Sequence, residues 1–152
     1  MKEETLISII RSASRQMVRE FGLLNDRFSS IGSPSQCHAL IELNFHGVMN
    51  LGQLSAVLNL EKSTTSRLIT QLTENGICRI QPDENDRRIK LLTLTKKGLS
   101  LVNKINLEAT LQVKNALDTM SDEEINTVVH GLSLYAKALK HSRLKNESAN
   151  DK

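Results

Sequence analysis

Apolar residues along this chain recur mostly at three- and four-residue steps, the spacing of one helix face. From Leu6, the positions Ile9, Ile10, Ala13, Met17, Phe21, Leu24 and Phe28 form one stripe and predict a long helix reaching about Ser29. Ile31-Gly32-Ser33-Pro34 interrupts it. Ser33 fits an N-cap, and Pro34 fits the first helical position, where a missing N–H costs nothing. The second helix carries Leu40, Ile41 and Leu43 and stops at Gly47. Asn50, with Gln53 three residues on, has the form of a capping box ahead of Leu51, Leu54, Val57 and Leu58. Asn59-Leu60-Glu61 breaks that short helix. Another then runs from about Lys62 through Leu68, Ile69 and Leu72 to Gly76, which suits the left-handed position past a helix end. Two short helices joined by a tight turn predict a helix-turn-helix.

The period then changes. Ile77–Gln81 and Ile89–Leu94 read as two β segments, separated by Pro82-Asp83-Glu84-Asn85-Asp86-Arg87-Arg88, which is rich in turn formers and charge. Thr95 can cap a long helix carrying Leu99, Leu101, Val102, Ile105, Leu107, Leu111, Val113 and Leu117. Ser121-Asp122-Glu123-Glu124 forms a second capping box before Ile125, Val128, Val129, Leu132, Leu134, Tyr135, Ala138 and Leu139. The fold class is therefore mainly α with a small β hairpin. Past His141 the sequence turns polar, and residues 142–152 are expected to fray.

Composition supports packed helices: aromatic residues are 3% with no Trp, so a Leu/Ile/Val core is expected rather than an all-β sandwich. Net charge is only +3, but the positive surplus is concentrated between Lys62 and Lys97. A local basic segment suits a polyanion footprint, with a solvated face as the plain alternative. The N-terminus, acidic and then polar, lacks the pattern of a signal peptide, and no apolar run approaches bilayer length, so a cytoplasmic protein without membrane contact is expected. Cys37 and Cys78 lie far apart without a CxxC pair or histidines at metal-ligand spacing, which predicts no metal, no cofactor and no disulfide. Both thiols are expected reduced and buried; redox sensing is the sharper alternative for Cys37. The chain carries no GxSxG, phosphate-loop, dinucleotide-binding or HExxH pattern, and an enzyme is not expected.

Several segments in order carry a family resemblance: Leu51-Gly52-Gln53-Leu54-Ser55, Leu60-Glu61-Lys62-Ser63-Thr64-Thr65-Ser66-Arg67-Leu68, Leu72-Thr73-Glu74-Asn75-Gly76, Asp86-Arg87-Arg88 and Leu94-Thr95-Lys96-Lys97-Gly98. With the order of elements, they make the chain resemble the MarR family of bacterial transcription regulators. The resemblance implies a winged helix-turn-helix with N- and C-terminal dimerisation helices. Its expected boundaries are a single domain over 1–141, a DNA-binding lobe over about 48–98, and dimerisation helices over about 4–30 and 96–141. Two positions depart from the pattern. Ser55 stands where many relatives have a smaller residue, and Gln71 where a basic residue often steadies the wing aspartate, which leaves Asp86 to find Arg79, Arg67 or solvent.

The chemistry fits double-stranded DNA as partner. A helix that enters the major groove needs donors and acceptors on its first turns, and Lys62, Ser63, Thr64, Thr65, Ser66 and Arg67 supply them. At the hairpin tip Arg88, with Arg87, is suited to the narrow minor groove, Asp86 to orienting the arginine, and Lys90, like Lys62 and Lys96, to phosphate. Asp83 and Glu84 read as a solvated turn. The outer helices carry more apolar surface than a small lobe can cover, so a homodimer is expected, with a pseudo-palindromic operator. The resemblance further implies repression and a small-molecule effector in a crevice near the second helix, where Cys37, His38, Phe45 and His46 fall; packing is the plain alternative for each. Two rival readings stay open: an interaction module without DNA binding, and the regulatory module of a longer acetyltransferase-type chain, for which 152 residues leave no room.

Overall fold

The computed structural model describes residues 2–23 and 32–150. Its elements are α1 (Glu3–Glu20), α2 (Pro34–His46), β1 (Met49–Asn50), α3 (Leu51–Leu58), α4 (Lys62–Glu74), β2 (Cys78–Pro82), β3 (Lys90–Leu94), α5 (Lys96–Leu117) and α6 (Asp122–Asn150). Its contacts divide the chain into two units, Met1–Leu107 and Glu108–Lys152, with α5 passing from the first into the second.

In the first unit, local chemistry sets most element ends where the sequence placed them. Ser33 caps α2 through a full capping box with Gln36, and Pro34 opens the helix. Asn50 accepts the Gln53 N–H at 2.9 Å while its own N–H donates to the Gln53 side chain at 2.8 Å, and Asn59, at φ 53, turns the chain between α3 and α4. An asparagine tolerates that left-handed conformation because its short side chain costs little there. Asn50→Ala is expected to lower the unfolding free energy by about 1 kcal/mol in urea titration, through loss of this cap.

Two expectations change. The first helix ends at Glu20 instead of near Ser29, because Gly22 takes φ 74 and turns the chain out of the helix. The rest of that predicted stripe, Leu24 and Phe28, lies outside the described residues. At the other end, α6 continues through the polar segment to Asn150, past the expected fraying point at His141; an Arg143–Glu147 pair at 2.8 Å spans one of its last turns.

The hairpin proves to be part of a three-stranded antiparallel sheet in the order β1-β3-β2. Met49 pairs with Leu92 and Asn50 with Leu91, while Cys78 to Pro82 run against Leu94 to Lys90. Around it lies one apolar core: Ala39, Leu40 and Leu43 from α2, Leu54 from α3, Leu68, Ile69 and Leu72 from α4, Leu92 from β3, and Val102 and Ile105 from α5. The helix-turn-helix and hairpin are thus braced against one interior. No residue of α1 is buried, and its Leu6, Ile7, Ile9, Ile10 and Met17 are exposed. In the second unit, Val128, Val129, Leu132, Leu134, Tyr135 and Leu139 of α6 are exposed in the same way.

Both cysteines are buried, and neither forms a disulfide. Burial pushes the Cys78 thiol from 9.0 up to about 11. The folded form holds its proton where the unfolded chain has lost it, so stability from this group is fully present below pH 9 and declines as pH rises toward 11. A Cys78→Ala variant should show a shallower loss of stability across that interval than the wild type, read as the difference between their urea midpoints.

Candidate nucleic-acid interface

The turn at Asn59 presents α4 with one face in the core and one outside. Its buried residues are Thr65, Leu68, Ile69 and Leu72, the three- and four-residue spacing of a single stripe. Ser63, Arg67 and Thr70 lie opposite that stripe and are exposed; Lys62, Thr64 and Ser66 flank them and are exposed too. Thr65 therefore has to be removed from the outward set. It is 0% exposed, and its hydroxyl donates to the Glu61 carbonyl at 3.1 Å, closing the first turn from inside. The run Ser63-Thr64-Thr65-Ser66 looks uniformly polar as a string, but the helical period sends its third member inward. The same period adds Thr70, which the sequence reading missed: it stands three residues beyond Arg67, and its hydroxyl donates to the Ser66 carbonyl at 3.0 Å.

The hairpin tip spans residues 83–89. Asp86 is paired with neither Arg79 nor Arg67 but with Arg88, whose backbone N–H and Nε donate to its Oδ1 at 3.0 and 3.1 Å. Arg88 Nη2 lies 3.4 Å from Oδ2. Sequence proximity decides this: two residues on, the guanidinium folds back over the turn. These bonds hold the Asp86 carboxyl below the usual aspartate range, so the pair remains ionised through mildly acid pH. The Arg88 side chain is 92% exposed. Arg87 and Lys90 are exposed as well, and neither makes an ion pair among the described residues. Gln71, which does not reach the wing, accepts instead from Gln36 Nε2 at 3.2 Å, linking α4 to the first turn of α2.

Asp83 differs from the solvated turn residue expected. It is half-buried, and its Oδ1 accepts the N–H groups of Asn85 and Asp86 at 2.8 and 3.0 Å. The signal was present in the sequence, since an aspartate two residues ahead of an asparagine in a turn is a side chain placed to bond the backbone beyond it.

The Leu94-Thr95-Lys96-Lys97-Gly98 segment locks the lobe behind the hairpin. Thr95 Oγ1 lies 2.7 Å from the Gly76 carbonyl and accepts the Gly98 N–H at 3.1 Å, while Thr95 N–H donates to the Ile77 carbonyl at 3.0 Å. Lys97 Nζ donates to the Asn75 carbonyl at 2.8 Å. A Cβ at Gly98 would overlap the Ile77 carbonyl, so only glycine fits here. The end of α4 and the start of α5 are thereby joined.

The four residues considered for an effector crevice differ in burial. Cys37 is in the core, whereas His38, Phe45 and His46 are exposed, Phe45 at 80%. Phe45 packs edge-on against His46 at 5.0 Å, and His46 Nε2 lies 3.5 Å from the Glu42 carboxylate. No described helix is long and apolar enough to cross a membrane.

Residues 33–90 match the model of the MarR family. The chain is 27% identical over 111 residues to YfiV of Bacillus subtilis, an uncharacterised HTH-type transcriptional regulator, covering 73% of this chain and 69% of that one. It is 25% identical over 145 residues to BadR of Rhodopseudomonas palustris, a transcriptional activatory protein, covering 93% and 77% of the two chains. Among solved structures it resembles Streptococcus pneumoniae FabT in complex with DNA, at TM-score 0.70 and 26% identity over 90% of this chain and 94% of that one. The matched residues contain the whole helix-turn-helix and the hairpin tip, and over them the chain is similar to the MarR family of winged helix-turn-helix transcription regulators.

Proposed function

We propose that the protein is a sequence-specific double-stranded DNA-binding repressor that acts in the cytoplasm as a homodimer on a pseudo-palindromic operator. The observation that carries this reading is the outward row Ser63, Arg67 and Thr70 on a helix whose opposite face is anchored in the core, beside a wing whose Arg88 is held by Asp86. In this reading α4 enters the major groove, with Ser63, Thr64, Ser66 and Arg67 near base edges and Lys62 at a phosphate. Arg88 and Arg87 reach the minor groove, and Lys90 adds charge at the backbone. The lobe over about 48–98 carries the contact. Thr65 supports the helix from within and leaves the set of DNA-contacting candidates.

Exposed apolar rows on α1 and α6 support the dimer, since surfaces of that kind on a single chain call for a partner. A two-fold pair then offers two recognition helices to half-sites about one helical turn apart. Repression is the simpler outcome, because a dimer seated over a promoter blocks polymerase with no further contact. A small-molecule effector remains part of the proposal through family resemblance, with the exposed His38, Phe45 and His46 of α2 as the candidates for its crevice.

The test is fluorescence anisotropy with duplex DNA from upstream of the protein's own gene, across a salt series, with light scattering to read the mass of the bound species. A dimer whose affinity falls steeply with salt supports the reading. Failure to bind this duplex and a random genomic library would replace it with the interaction module. Transcription in vitro from a bound promoter separates repression, seen as reduced transcript, from the activation that BadR's name describes.

A further inference from the structure

We infer that Asp83 is the positioning residue of the wing: it fixes the backbone of Asp86, which in turn holds the Arg88 guanidinium at the tip. The inference rests on the DNA-binding reading for its effect on affinity, but not for its structural content. Two carboxylates act in series. Asp83 Oδ1 gathers the N–H groups of Asn85 and Asp86, at 2.8 and 3.0 Å. Asp86 Oδ1 gathers the backbone N–H and Nε of Arg88, at 3.0 and 3.1 Å. Between them the turn is closed by the Asp83 N–H on the Ile89 carbonyl and the Ile89 N–H on the Asp86 carbonyl, both 2.9 Å.

Arg88 has no other anchor among the described interactions. Its side chain is 92% exposed, so packing does not choose its direction, and Asp86 is its ion-pair partner. Asp86 can aim it only if its own backbone is fixed, and that is what Asp83 supplies. An aspartate at this place also carries a charge that phosphate repels. A carboxylate without a positioning role would therefore weaken DNA binding, and its removal would tighten it. The sign of the Asp83→Ala effect separates the two roles.

The experiment uses the full-length protein, the labelled upstream duplex, and the variants Asp83→Ala, Asp83→Asn, Arg88→Ala and the double variant Asp83→Ala/Arg88→Ala. Asparagine keeps the Oδ1 acceptor and drops the charge. Asp83→Ala is expected to weaken binding roughly three- to tenfold, the scale of one lost charge-assisted contact. Asp83→Asn should bind as the wild type does or more tightly, and the double variant no more weakly than Arg88→Ala. In the free protein, the nitrogen-15 resonance of Arg88 Nε–H should lose its protection from exchange with water in Asp83→Ala and keep it in Asp83→Asn. Tighter binding by Asp83→Ala, additive losses in the double variant, or an Arg88 Nε–H unchanged by Asp83→Ala would each overturn the inference. The resonance measurement needs no DNA, so it decides the positioning role even if the chain fails to bind the duplex.

Discussion

Arg67→Ala is expected to weaken binding to the upstream duplex by about 1–3 kcal/mol, the usual cost of losing a side chain that forks onto a base edge. Arg67 stands directly opposite the buried stripe of α4, and its guanidinium is the longest donor on that face. Arg67→Lys distinguishes what it contacts. Lysine preserves the charge but not the planar pair of donors, so a base-reading arginine loses nearly as much on Lys as on Ala and relaxes specificity at one position. If Arg67 clamps a phosphate instead, Lys retains most of the affinity, and Ala lowers the slope of log affinity against log salt by about one. Anisotropy titrations of the three proteins at several salt concentrations give both quantities.

Gly98→Ala is expected to destabilise the fold by about 1–3 kcal/mol, as overpacking at a fixed site does. The added methyl would meet a backbone carbonyl that cannot swing aside as a flexible side chain would, because Ile77 O also accepts the Thr95 N–H at 3.0 Å. Relief requires α5 to shift away from the end of α4. A lower urea midpoint with an unchanged slope would register a loss of stability without a change in the surface exposed on unfolding. Thr95→Val should lower the midpoint too, since it removes the hydroxyl that bonds the Gly76 carbonyl while keeping the shape of the side chain.

Most element ends were legible in the sequence because they are decided by chemistry within three or four residues. Ser33 with Pro34, Asn50 with Gln53, and Ser121 with Glu124 each announce a helix start by satisfying its free N–H groups locally. What escaped depends on contacts or periods that a reading by residue type passes over. Thr65 is polar by type and inward by phase, and its hydroxyl finds a carbonyl one turn back in place of solvent. The two-residue β1 strand has no periodicity of its own and exists only because β3 is there to receive it. Asp86 lies near Arg79 and Arg67 in the list of available cations, yet the shortest loop closure, to Arg88, takes it. The end of α1 at Glu20 was hidden because apolar spacing continues through Phe21 while Gly22 breaks the backbone.

Asn50 belongs to two elements at once: its backbone stands opposite Leu91 in the sheet, and its side chain closes the first turn of α3. The hairpin that carries Arg88 is therefore tied through Asn50 to the helix that precedes α4, as the end of α4 is tied through Thr95 to the start of α5. Sideways travel of the wing would have to drag the α3 cap with it. In the DNA-binding proposal, the groove-facing helix and the wing would then have few separate degrees of freedom and act as a single stamp with a fixed pitch between its two points. A stamp of this kind cannot adapt to a displaced minor groove by flexing; DNA that fits must bring its major-groove edge and its neighbouring minor groove to that spacing, so part of the selectivity would come from duplex shape and not from bases touched.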